Sequence, residues 1–291
     1  MIRPAIRSSC SNRAGDDVAL TRGAMSDTDA YWGRADLRRA ILDALVAAGK
    51  RLHALTVDDL APFDHFHSGG KNATLRLARF AGIAPGMRVL DVGGGLGGPA
   101  RTLAVEFGCD VTIIDLTESY LEAAQMLNHR LGLEDRVRCR LGDALDLPAD
   151  IGTFDVVWTQ NSGMAIADKA RLYAGFFDAL RPGGRLALQE PMAGAVAPLL
   201  YPEMWARDAS ESFLEPPSAM RATIEAAGFT LRAWDDVTAE IVGPKPGAVA
   251  PPPSIQALVM GEALPRIIAT SYRNRTEGRA VLIHALFDRA K

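Results

Sequence analysis

The segment best equipped for chemistry is a glycine cluster between an apolar strand and a helix, residues 89–98. Glycines let a backbone bend sharply and approach a ligand closely, because no Cβ stands in the way. The first amides of the following helix are free donors, and ligands of such sheets bind beyond the carboxyl ends of the strands. Gly93, Gly95 and Gly98 have the GxGxxG spacing of nicotinamide-dependent enzymes. The cluster therefore predicts a cofactor site, and its spacing leaves the cofactor class open.

Acidic residues near this turn narrow the choice of cofactor. Asp115 closes the second predicted strand 20 residues after Gly95, where a carboxylate accepts hydrogen bonds from ribose hydroxyls in both cofactor classes. Asp143 closes the third predicted strand, where a carboxylate can accept from the adenine amino group. Asp91 lies on the first strand, at a position where a dinucleotide fold normally has an apolar residue. Asp91 and Asp143 therefore disfavour a nicotinamide cofactor and favour another ligand that contains adenosine.

Short apolar runs alternate with helical segments in the part of the chain that must position these residues. The predicted strands are residues 88–92, 111–114, 137–141, 154–158, 185–189, 230–234 and 280–287. The clearest predicted helices between them are residues 98–107, 119–131 and 169–180. Strands that alternate with helices indicate βαβ units and a parallel sheet that is buried on both faces. The pattern predicts an α/β fold.

Bulk composition limits the classes of protein to which the chain can belong. Its 291 residues suffice for one large α/β domain with an added cap, or at most for two domains. A net charge of -3 argues against a nucleic-acid partner, and the most apolar run, residues 193–201, is too short to span a bilayer. Three scattered cysteines without CxxC spacing fit a reducing compartment. We therefore expect a cytoplasmic protein without a membrane or nucleic-acid partner.

Four segments, in this order, match one protein family. Residues 91–97 resemble the first motif of the class I S-adenosylmethionine-dependent methyltransferases, and residues 114–116 resemble their ribose-binding acid. Residues 142–144 are similar to their adenine-binding motif, and residues 180–186 to the turn before their fifth strand. The match extends over about residues 31–291. It implies a Rossmann-like, mostly parallel seven-stranded sheet with its last strand antiparallel, helices on both faces, an N-terminal helical cap and lid insertions.

Further segments resemble one branch of this family. Residues 67–70 lie ahead of the first motif, and with residues 158–160 and 166–169 they look like the branch that contains the sarcosine/dimethylglycine N-methyltransferases. Related enzymes of that branch methylate phosphoethanolamine or tailor natural products. The resemblance implies a small-molecule acceptor, either an amine or a metabolite similar to a natural product.

Within this frame the chain divides into a leader, a cap and a catalytic domain. Residues 1–24 are rich in Arg and Ser and poor in acids, which suggests a disordered leader, although organellar transit peptides share this composition. We expect residues 25–75 to form the helical cap and residues 76–291 the Rossmann-like domain. Two stretches interrupt the alternation of that domain. They are expected to form a lid, residues 191–220, and a helical insertion, residues 243–276.

The resemblance also implies which residues bind S-adenosylmethionine. Asp115 would bind the ribose, Leu116 would stack on the adenine, and Asp143 would hold the adenine edge. Gln160, at the end of the fourth strand, would border the reacting centre. The complete implied set is Ser68, Gly69, Asp91, Gly93, Gly95, Asp115, Leu116, Asp143, Ala144 and Gln160.

Three side chains are candidates for a catalytic role: His67, Glu190 and Asn161. A neutral amine acceptor needs little more than alignment, whereas a hydroxyl needs a base. His67 lies with His65 on the loop before the first motif, where packing of the loop is an equal alternative to catalysis. Glu190 ends the fifth strand beside the predicted acceptor pocket. Asn161 stands where many relatives carry a histidine, which argues against histidine-based O-methylation at that loop.

The sequence therefore predicts in-line transfer of a methyl group from S-adenosylmethionine to a nitrogen or oxygen of a small-molecule acceptor. Tyr201, Trp205 and Phe213 could line a hydrophobic or cation-binding acceptor pocket, or could simply pack a lid. Two other interpretations stay open, an NAD-dependent oxidoreductase and a non-catalytic S-adenosylmethionine-binding protein. We expect no metal site, and either a monomer or a homodimer.

Overall fold

A mostly parallel sheet forms the centre of the molecule, for which a computed structural model describes residues 36–242, 246 and 253–290. Its strands are β1 (Arg88–Val92), β2 (Asp110–Asp115), β3 (Val137–Leu141), β4 (Phe154–Gln160), β5 (Leu180–Ala193), β6 (Phe229–Asp236) and β7 (Ala280–Arg289). Their spatial order is β3-β2-β1-β4-β5-β7-β6. The pairs among β1 to β5 are parallel, and β7 runs antiparallel to both of its neighbours. The predicted α/β sheet with an antiparallel last strand is confirmed.

Helices cover both faces of this sheet. They are α1 (Leu37–Ala47), α2 (Val57–Asp64), α3 (Gly70–Phe80), α4 (Gly98–Phe107), α5 (Glu118–Leu131), α6 (Lys169–Ala179), α7 (Pro217–Ala226), α8 (Ile255–Met260) and α9 (Leu264–Thr276). Successive residues of a strand point to opposite faces. Val89 accordingly belongs to one buried cluster with Leu103 of α4, and Leu90 to another with Phe176 of α6. Packing on both faces fixes the strand ends at which the predicted site residues lie.

The N-terminal helices and the insertion between β6 and β7 form one cover beside the glycine-rich turn. Their shared buried cluster contains Ile41 of α1, Phe63 of α2, Leu127 of α5 and Ile255 of α8. Leu96, from the turn itself, belongs to the same cluster. The cover therefore packs directly against the segment that was predicted to approach a cofactor.

Helix α2 contains Pro62, a residue type that usually kinks or ends a helix. Thr56 caps this helix by accepting a hydrogen bond from the Asp59 amide at 3.2 Å, and the Asp59 carboxylate accepts from the Thr56 amide at 3.0 Å. Such reciprocal capping satisfies two amides that would otherwise lack partners. This capping supports a helix of 8 residues in spite of Pro62.

Regular structure borders both ends of the stretch that was predicted to form a lid, residues 191–220. Strand β5 continues to Ala193 because residues 185–193 pair with β7 along their whole length. Helix α7 begins at Pro217, a residue type favoured in a first helical turn. The irregular stretch between β5 and α7, residues 194–216, is called the lid segment below.

The predicted insertion at residues 243–276 contains α8 and α9 within its described part, and residues 243–245 and 247–252 lie outside the described residues. The expected leader, residues 1–24, and the start of the expected cap also lie outside them. Among the described helices, none combines the length and the apolar content needed to cross a membrane.

Candidate functional site

In the described part of the chain, a cavity of about 540 Å³ opens at the carboxyl ends of β1 to β4, a volume typical of small-molecule sites. Eleven of the thirteen predicted site residues line it: His67, Ser68, Asp91, Gly93, Gly95, Asp115, Leu116, Asp143, Ala144, Gln160 and Asn161. The other two, Gly69 and Glu190, are not part of its wall. The fold therefore brings together residues that are up to 94 positions apart in the sequence.

The glycine-rich turn after β1 forms part of the cavity wall. Gly93 has a φ of 70°, in the left-handed region that favours glycine. A Cβ added to Gly93 would lie 2.5 Å from the Cβ of Ser162, so a larger residue would force the two segments apart. Ser162 Oγ donates to the carbonyl of Val92 at 3.2 Å, which holds the turn after β4 against β1. The close approach of these two strand ends depends on glycine at position 93.

Asp91 presents a buried carboxylate to the cavity. Its side chain is fully buried, and among the described residues Oδ2 has no hydrogen-bond partner. Burial, with a smaller contribution from the negative charge of Asp115, raises the pKa of Asp91 to about 8. An isolated carboxylate in such surroundings is costly unless a cation or a donor compensates it. The site is therefore suited to a ligand that brings a positive charge or N–H donors to this point.

Asp115 connects the glycine-rich turn to the end of β2. Its Oδ2 accepts from the Gly95 amide and its Oδ1 from the Thr117 amide, each at 2.8 Å. Burial raises the pKa of Asp115, while these amides act in the opposite direction. Each carboxylate oxygen has a further lone pair beyond these bonds. The two amides therefore fix the orientation of a carboxylate that can still accept from neighbouring hydroxyls of a ligand.

The end of β3 supplies the next part of the wall. Asp143 accepts a hydrogen bond from the Leu145 amide at 2.8 Å, which orients its carboxylate. Leu116, which follows β2, is 49% exposed and lines the cavity with an apolar side chain. A polar edge beside an apolar surface suits a flat heterocycle that carries hydrogen-bonding groups.

His67 takes part in a buried polar network below the cavity. Its Nδ1 lies 3.0 Å from the Ser68 carbonyl oxygen, which can only accept, so Nδ1 carries the proton. Burial, followed by the nearby charge of His65, lowers the pKa of His67 to about 3, so the ring is neutral. Its Nε2 and Gln160 Oε1, both acceptors, each lie 3.0 Å from Thr74 Oγ1, so the single proton of the Thr74 hydroxyl is shared between them. Both ring nitrogens thus face protein atoms.

Asn161 lies directly after β4 and has a φ of 57°, which asparagine tolerates better than most residues. Its Oδ1 accepts from Gln189 Nε2 at 2.8 Å, and its Nδ2 lies 3.4 Å from Ser68 Oγ. Gln189 Nε2 also donates to the Ser68 carbonyl at 3.0 Å. Asn161 and Gln189 therefore hold the loop that carries His67 and Ser68 against the end of the sheet.

Glu190 does not extend toward the cavity, in contrast to the substrate contact expected from the sequence. It is fully buried, and its Oε1 accepts from the amides of Gly163 at 2.9 Å and Ser162 at 3.2 Å. Burial raises the pKa of Glu190, and these amides lower it. The sequence places a residue at a strand end but does not show which face its side chain takes. The observed contacts make Glu190 the support of the turn after β4.

Gly69 is likewise behind the wall. It has a φ of 82° and precedes α3, and a Cβ there would lie 2.7 Å from the Cβ of Ala73 and 2.8 Å from Ile241. The tight packing explains why the chain has glycine at this point. Its neighbour Ser68 lines the cavity instead.

The end of the cavity beyond β4 is mostly apolar. Met164, Trp205 and Phe213 line it, and Trp205 is fixed by a hydrogen bond of 3.0 Å from its Nε1 to Ser212 Oγ. Tyr201 packs against the same cluster of residues but is not part of the wall. Of the three aromatic residues considered for an acceptor pocket, Trp205 and Phe213 therefore line the cavity and Tyr201 does not.

Arg275, in the last turn of α9, is a cavity residue that the sequence analysis missed. Its Nη2 donates to Ser68 Oγ at 2.8 Å, which brings the insertion between β6 and β7 to the loop before β1. No local sequence pattern marks this residue, because its position depends on how the insertion packs over the sheet.

Comparison with known proteins identifies a family and several relatives that this chain resembles. Residues 89–184 match the family described as a methyltransferase domain. Methyltransferase GfsG of Streptomyces halstedii is 31% identical over 208 residues, which are 70% of this chain and 74% of that protein. The glycine/sarcosine/dimethylglycine N-methyltransferase of Actinopolyspora halophila is 33% identical over 132 residues, 45% of this chain, and the chain spans only 23% of its length.

Solved structures show the same fold at lower sequence identity. A geranyl diphosphate methyltransferase in complex with S-adenosylmethionine aligns with a TM-score of 0.60 at 20% identity and covers 76% of this chain and 85% of its own. Phosphoethanolamine N-methyltransferase 2 of Haemonchus contortus, in complex with S-adenosylmethionine, aligns with a TM-score of 0.64 at 19% identity over 92% and 60% of the two chains. The sheet of the present chain is thus that of the Rossmann-like methyltransferases.

Proposed function

The chain belongs to the methyltransferases that use S-adenosylmethionine, and we propose that it methylates a nitrogen or oxygen atom of a small, partly apolar metabolite. The observation that carries this proposal is the single cavity in which the glycine-rich turn and strand-end carboxylates continue into an apolar wall. One ligand would be held at the polar end, and an acceptor would bind against Met164, Trp205 and Phe213.

The residues at the polar end fit S-adenosylmethionine in the order that the sheet imposes. The spatial order β3-β2-β1-β4 places Asp143, Asp115 and Asp91 in succession along one edge. Asp143 with Ala144 would bind the adenine edge, Leu116 would pack on its face, and Asp115 would accept from the ribose hydroxyls. Asp91 would face the amino group of the methionine portion, because its buried Oδ2 needs a positive partner.

The cofactor, when bound, supplies a methyl group that its sulfonium already makes electrophilic. The task of the protein is then to align the acceptor atom and to exclude water, and such positioning contributes about 7–11 kcal/mol to lowering a barrier. We propose that Gln160 and Asn161 border the reacting centre and that Glu190 keeps the turn after β4 in place. His67 would act through Thr74 and Gln160, since both of its nitrogens are engaged.

The acceptor wall supports an apolar acceptor whose reacting atom needs little help from a base. The aromatic and thioether side chains offer area for hydrophobic contact, and aromatic faces also attract cations. An amine that enters in its neutral form needs only alignment, whereas a hydroxyl needs a proton acceptor. The engaged nitrogens of His67 therefore favour an amine, or a hydroxyl that is acidic enough to ionise without a histidine.

Transfer of a labelled methyl group into a metabolite extract tests this function. The protein is incubated with S-adenosylmethionine labelled in its methyl group, and the labelled product is identified by mass spectrometry. We expect one main small-molecule product, which Asp115→Ala should nearly abolish. Asp110→Ala is the matched control, because Asp110 begins the same strand but is exposed and pairs with Arg136.

Two results would contradict the proposal. Binding of S-adenosylmethionine without any labelled product across extracts of varied origin would favour a non-catalytic binding protein. Binding of NADH in a fluorescence titration, together with no binding of S-adenosylmethionine, would favour an oxidoreductase.

A further inference from the structure

Arg275 brings a positive charge to the cavity from a part of the chain far from the cofactor motifs. It lies at the end of α9, lines the cavity and is partly buried. Its Nη2 donates to Ser68 Oγ at 2.8 Å, and its Nη1 donates to the Val242 carbonyl at 3.3 Å. A guanidinium has five N–H donors, so these two neutral acceptors leave most of its capacity unused.

Within the described part of the chain, the guanidinium of Arg275 has neutral hydrogen-bond partners and no ion pair within 4 Å. Glu203 favours its charged form only through the longer-range field, and burial lowers the pKa of Arg275. The Glu203 carboxylate is itself buried and accepts from Asn274 Nδ2 at 2.6 Å. A partly buried guanidinium in a cavity wall is therefore positioned for a carboxylate that a ligand supplies.

The contacts around Arg275 link it to the end of β4, the strand beside β1, and so to the side of the cavity away from the adenine end at β3. Arg275 contacts Ser68, Ser68 Oγ lies 3.4 Å from Asn161 Nδ2, and Asn161 is followed by Ser162, which packs against the turn after β1. Asp91 precedes that turn by two residues. One end of the cavity thus presents a carboxylate in need of a cation and a guanidinium in need of an anion. This pair of charges is complementary to the ammonium and carboxylate of an α-amino acid.

We propose that Arg275 binds the carboxylate of the methionine portion of S-adenosylmethionine, while Asp91 faces its amino group. The inference rests on the proposed function, because it assumes that the cavity binds this cofactor. It adds to that function a binding residue from the insertion between β6 and β7. The same helix also holds the lid segment, since Asn274 donates to the Leu200 carbonyl at 2.8 Å and accepts from the Leu200 amide at 2.9 Å.

Decarboxylated S-adenosylmethionine tests this assignment, because it retains the amino group and the sulfonium but lacks the carboxylate. Dissociation constants for both ligands are measured by calorimetry on the wild-type protein and on Arg275→Met. A charge-assisted hydrogen bond predicts that the wild type prefers S-adenosylmethionine by about ten- to a hundredfold. In Arg275→Met the preference should fall below about threefold, mainly through weaker binding of S-adenosylmethionine.

Arg273→Met is the matched control, because Arg273 lies on the same helix but is exposed and pairs with Glu277 at 2.8 Å. It should keep the preference of the wild type. If Arg275→Met fails to fold, Arg275→Lys decides the question. Lysine keeps the positive charge but cannot donate the two parallel hydrogen bonds of a guanidinium. The preference should therefore fall to an intermediate value, while the decarboxylated ligand binds as before.

Three results separate the possible failures. A preference that is unchanged in the Arg275 variants would overturn the inference and leave the proposed function intact. The same unchanged preference, combined with a raised KM for an acceptor that carries a carboxylate, would assign Arg275 to the acceptor instead. Failure of the wild-type protein to bind either ligand would refute the proposed function itself.

Discussion

The two ends of the cavity are built from different kinds of interaction. At the cofactor end, backbone amides orient Asp115 and Asp143, and their donors lie no more than 20 residues away in the sequence. At the acceptor end, side chains from distant segments hold one another. Glu203 accepts from Asn274 across 71 residues and from Ser271 across 68 residues.

This difference has a consequence for specificity. A backbone amide is available whatever the side chain, so the cofactor end tolerates variation in its surroundings as long as the turn keeps its shape. The acceptor end depends on particular side chains in a lid and an insertion, and connecting segments vary most readily on a stable scaffold. Substitutions at the cofactor end should therefore affect cofactor binding, and those at the acceptor end should change which molecule is methylated.

The largest expected effect comes from Arg101, which ties the cap to the cofactor end. Its fully buried guanidinium pairs with Asp64 at 3.0 Å, donates to Asn128 Oδ1 at 2.8 Å and contacts the Leu96 carbonyl. Arg101→Met keeps roughly the length of the side chain but removes the guanidinium from the buried Asp64, whose carboxylate then has only His65 as a neighbouring partner. We expect the free energy of unfolding to fall by about 3–5 kcal/mol in urea titrations.

Arg171→Met is the control for this measurement, because Arg171 is exposed and lies 3.9 Å from its partner Asp146. Such surface pairs contribute about 0–1 kcal/mol. A loss below about 1 kcal/mol for Arg101→Met would show that the cap and the glycine-rich turn are not coupled in this way.

The next effect is a pH dependence that belongs to the cofactor end alone. Burial raises the pKa of Asp91 to about 8 in the ligand-free protein, so its carboxyl is mostly protonated at pH 6. Because the amino group of the cofactor requires the carboxylate, affinity for S-adenosylmethionine should rise by up to about tenfold per pH unit toward pH 8 and then level off. Calorimetry at several pH values measures this slope, which Asp91→Asn should remove.

The same raised pKa has a defined consequence for stability without ligand. The folded protein binds this proton more tightly than the unfolded chain, whose Asp pKa is 3.8. The contribution of this proton to the free energy of unfolding is therefore complete below about pH 4 and is lost as the pH rises toward about 8.

A flat profile of S-adenosylmethionine affinity between pH 6 and 8 would contradict the placement of the amino group at Asp91.

A smaller and more selective effect is expected from Asn274→Ala. This change removes the hydrogen bonds that connect α9 to Leu200 and leaves the buried Glu203 with one donor fewer. The KM for the acceptor should rise by about tenfold, consistent with the cost of unsatisfied buried groups, while the dissociation constant of the cofactor changes less than about threefold. Steady-state kinetics and calorimetry measure the two quantities separately.

Thr276→Ala provides the comparison for this variant, because Thr276 is an exposed residue of the same helix. Equal losses of acceptor and cofactor affinity in Asn274→Ala would mean that the two ends of the cavity are not built independently.

The cofactor end could be predicted from the sequence because its information is local. The strand, the glycines and the acid at the next strand end occur in a fixed order, and Gly93, Asp115 and Asp143 line the cavity as expected. Arg275 could not be predicted in the same way. Its position depends on how the insertion packs over the sheet, and its contact Ser68 precedes it by 207 residues.

Two further differences between the sequence-based expectations and the structure have local causes. Glu190 was expected beside the acceptor, but alternate residues of a strand face opposite sides, and its carboxylate accepts from the turn after β4. Gly69 was expected to contact the cofactor, but it precedes α3 and packs against Ala73 and Ile241. In both cases the contacts that the residue makes within the protein decided its role, and the residue type alone did not reveal those contacts.

The smallest predicted effect concerns the acceptor wall. Phe213 is 38% exposed in the ligand-free structure and lines the cavity. Phe213→Ala should raise the KM for the acceptor by about three- to tenfold, because only part of the ring becomes buried by a ligand, and should leave cofactor affinity unchanged. Leu141→Ala, at an exposed residue outside the cavity wall, is the control in the same kinetic assay. An unchanged KM would place the acceptor elsewhere.

Calorimetric titration of S-adenosylmethionine into the wild-type protein, Asp115→Ala and Asp110→Ala tests most directly whether the strand-end carboxylates bind the cofactor. We predict saturable binding to one site in the wild type and in Asp110→Ala. Affinity should fall by about a hundredfold or more in Asp115→Ala, which loses both the ribose acceptor and the anchor of the Gly95 amide. Equal affinity of all three proteins would contradict the account.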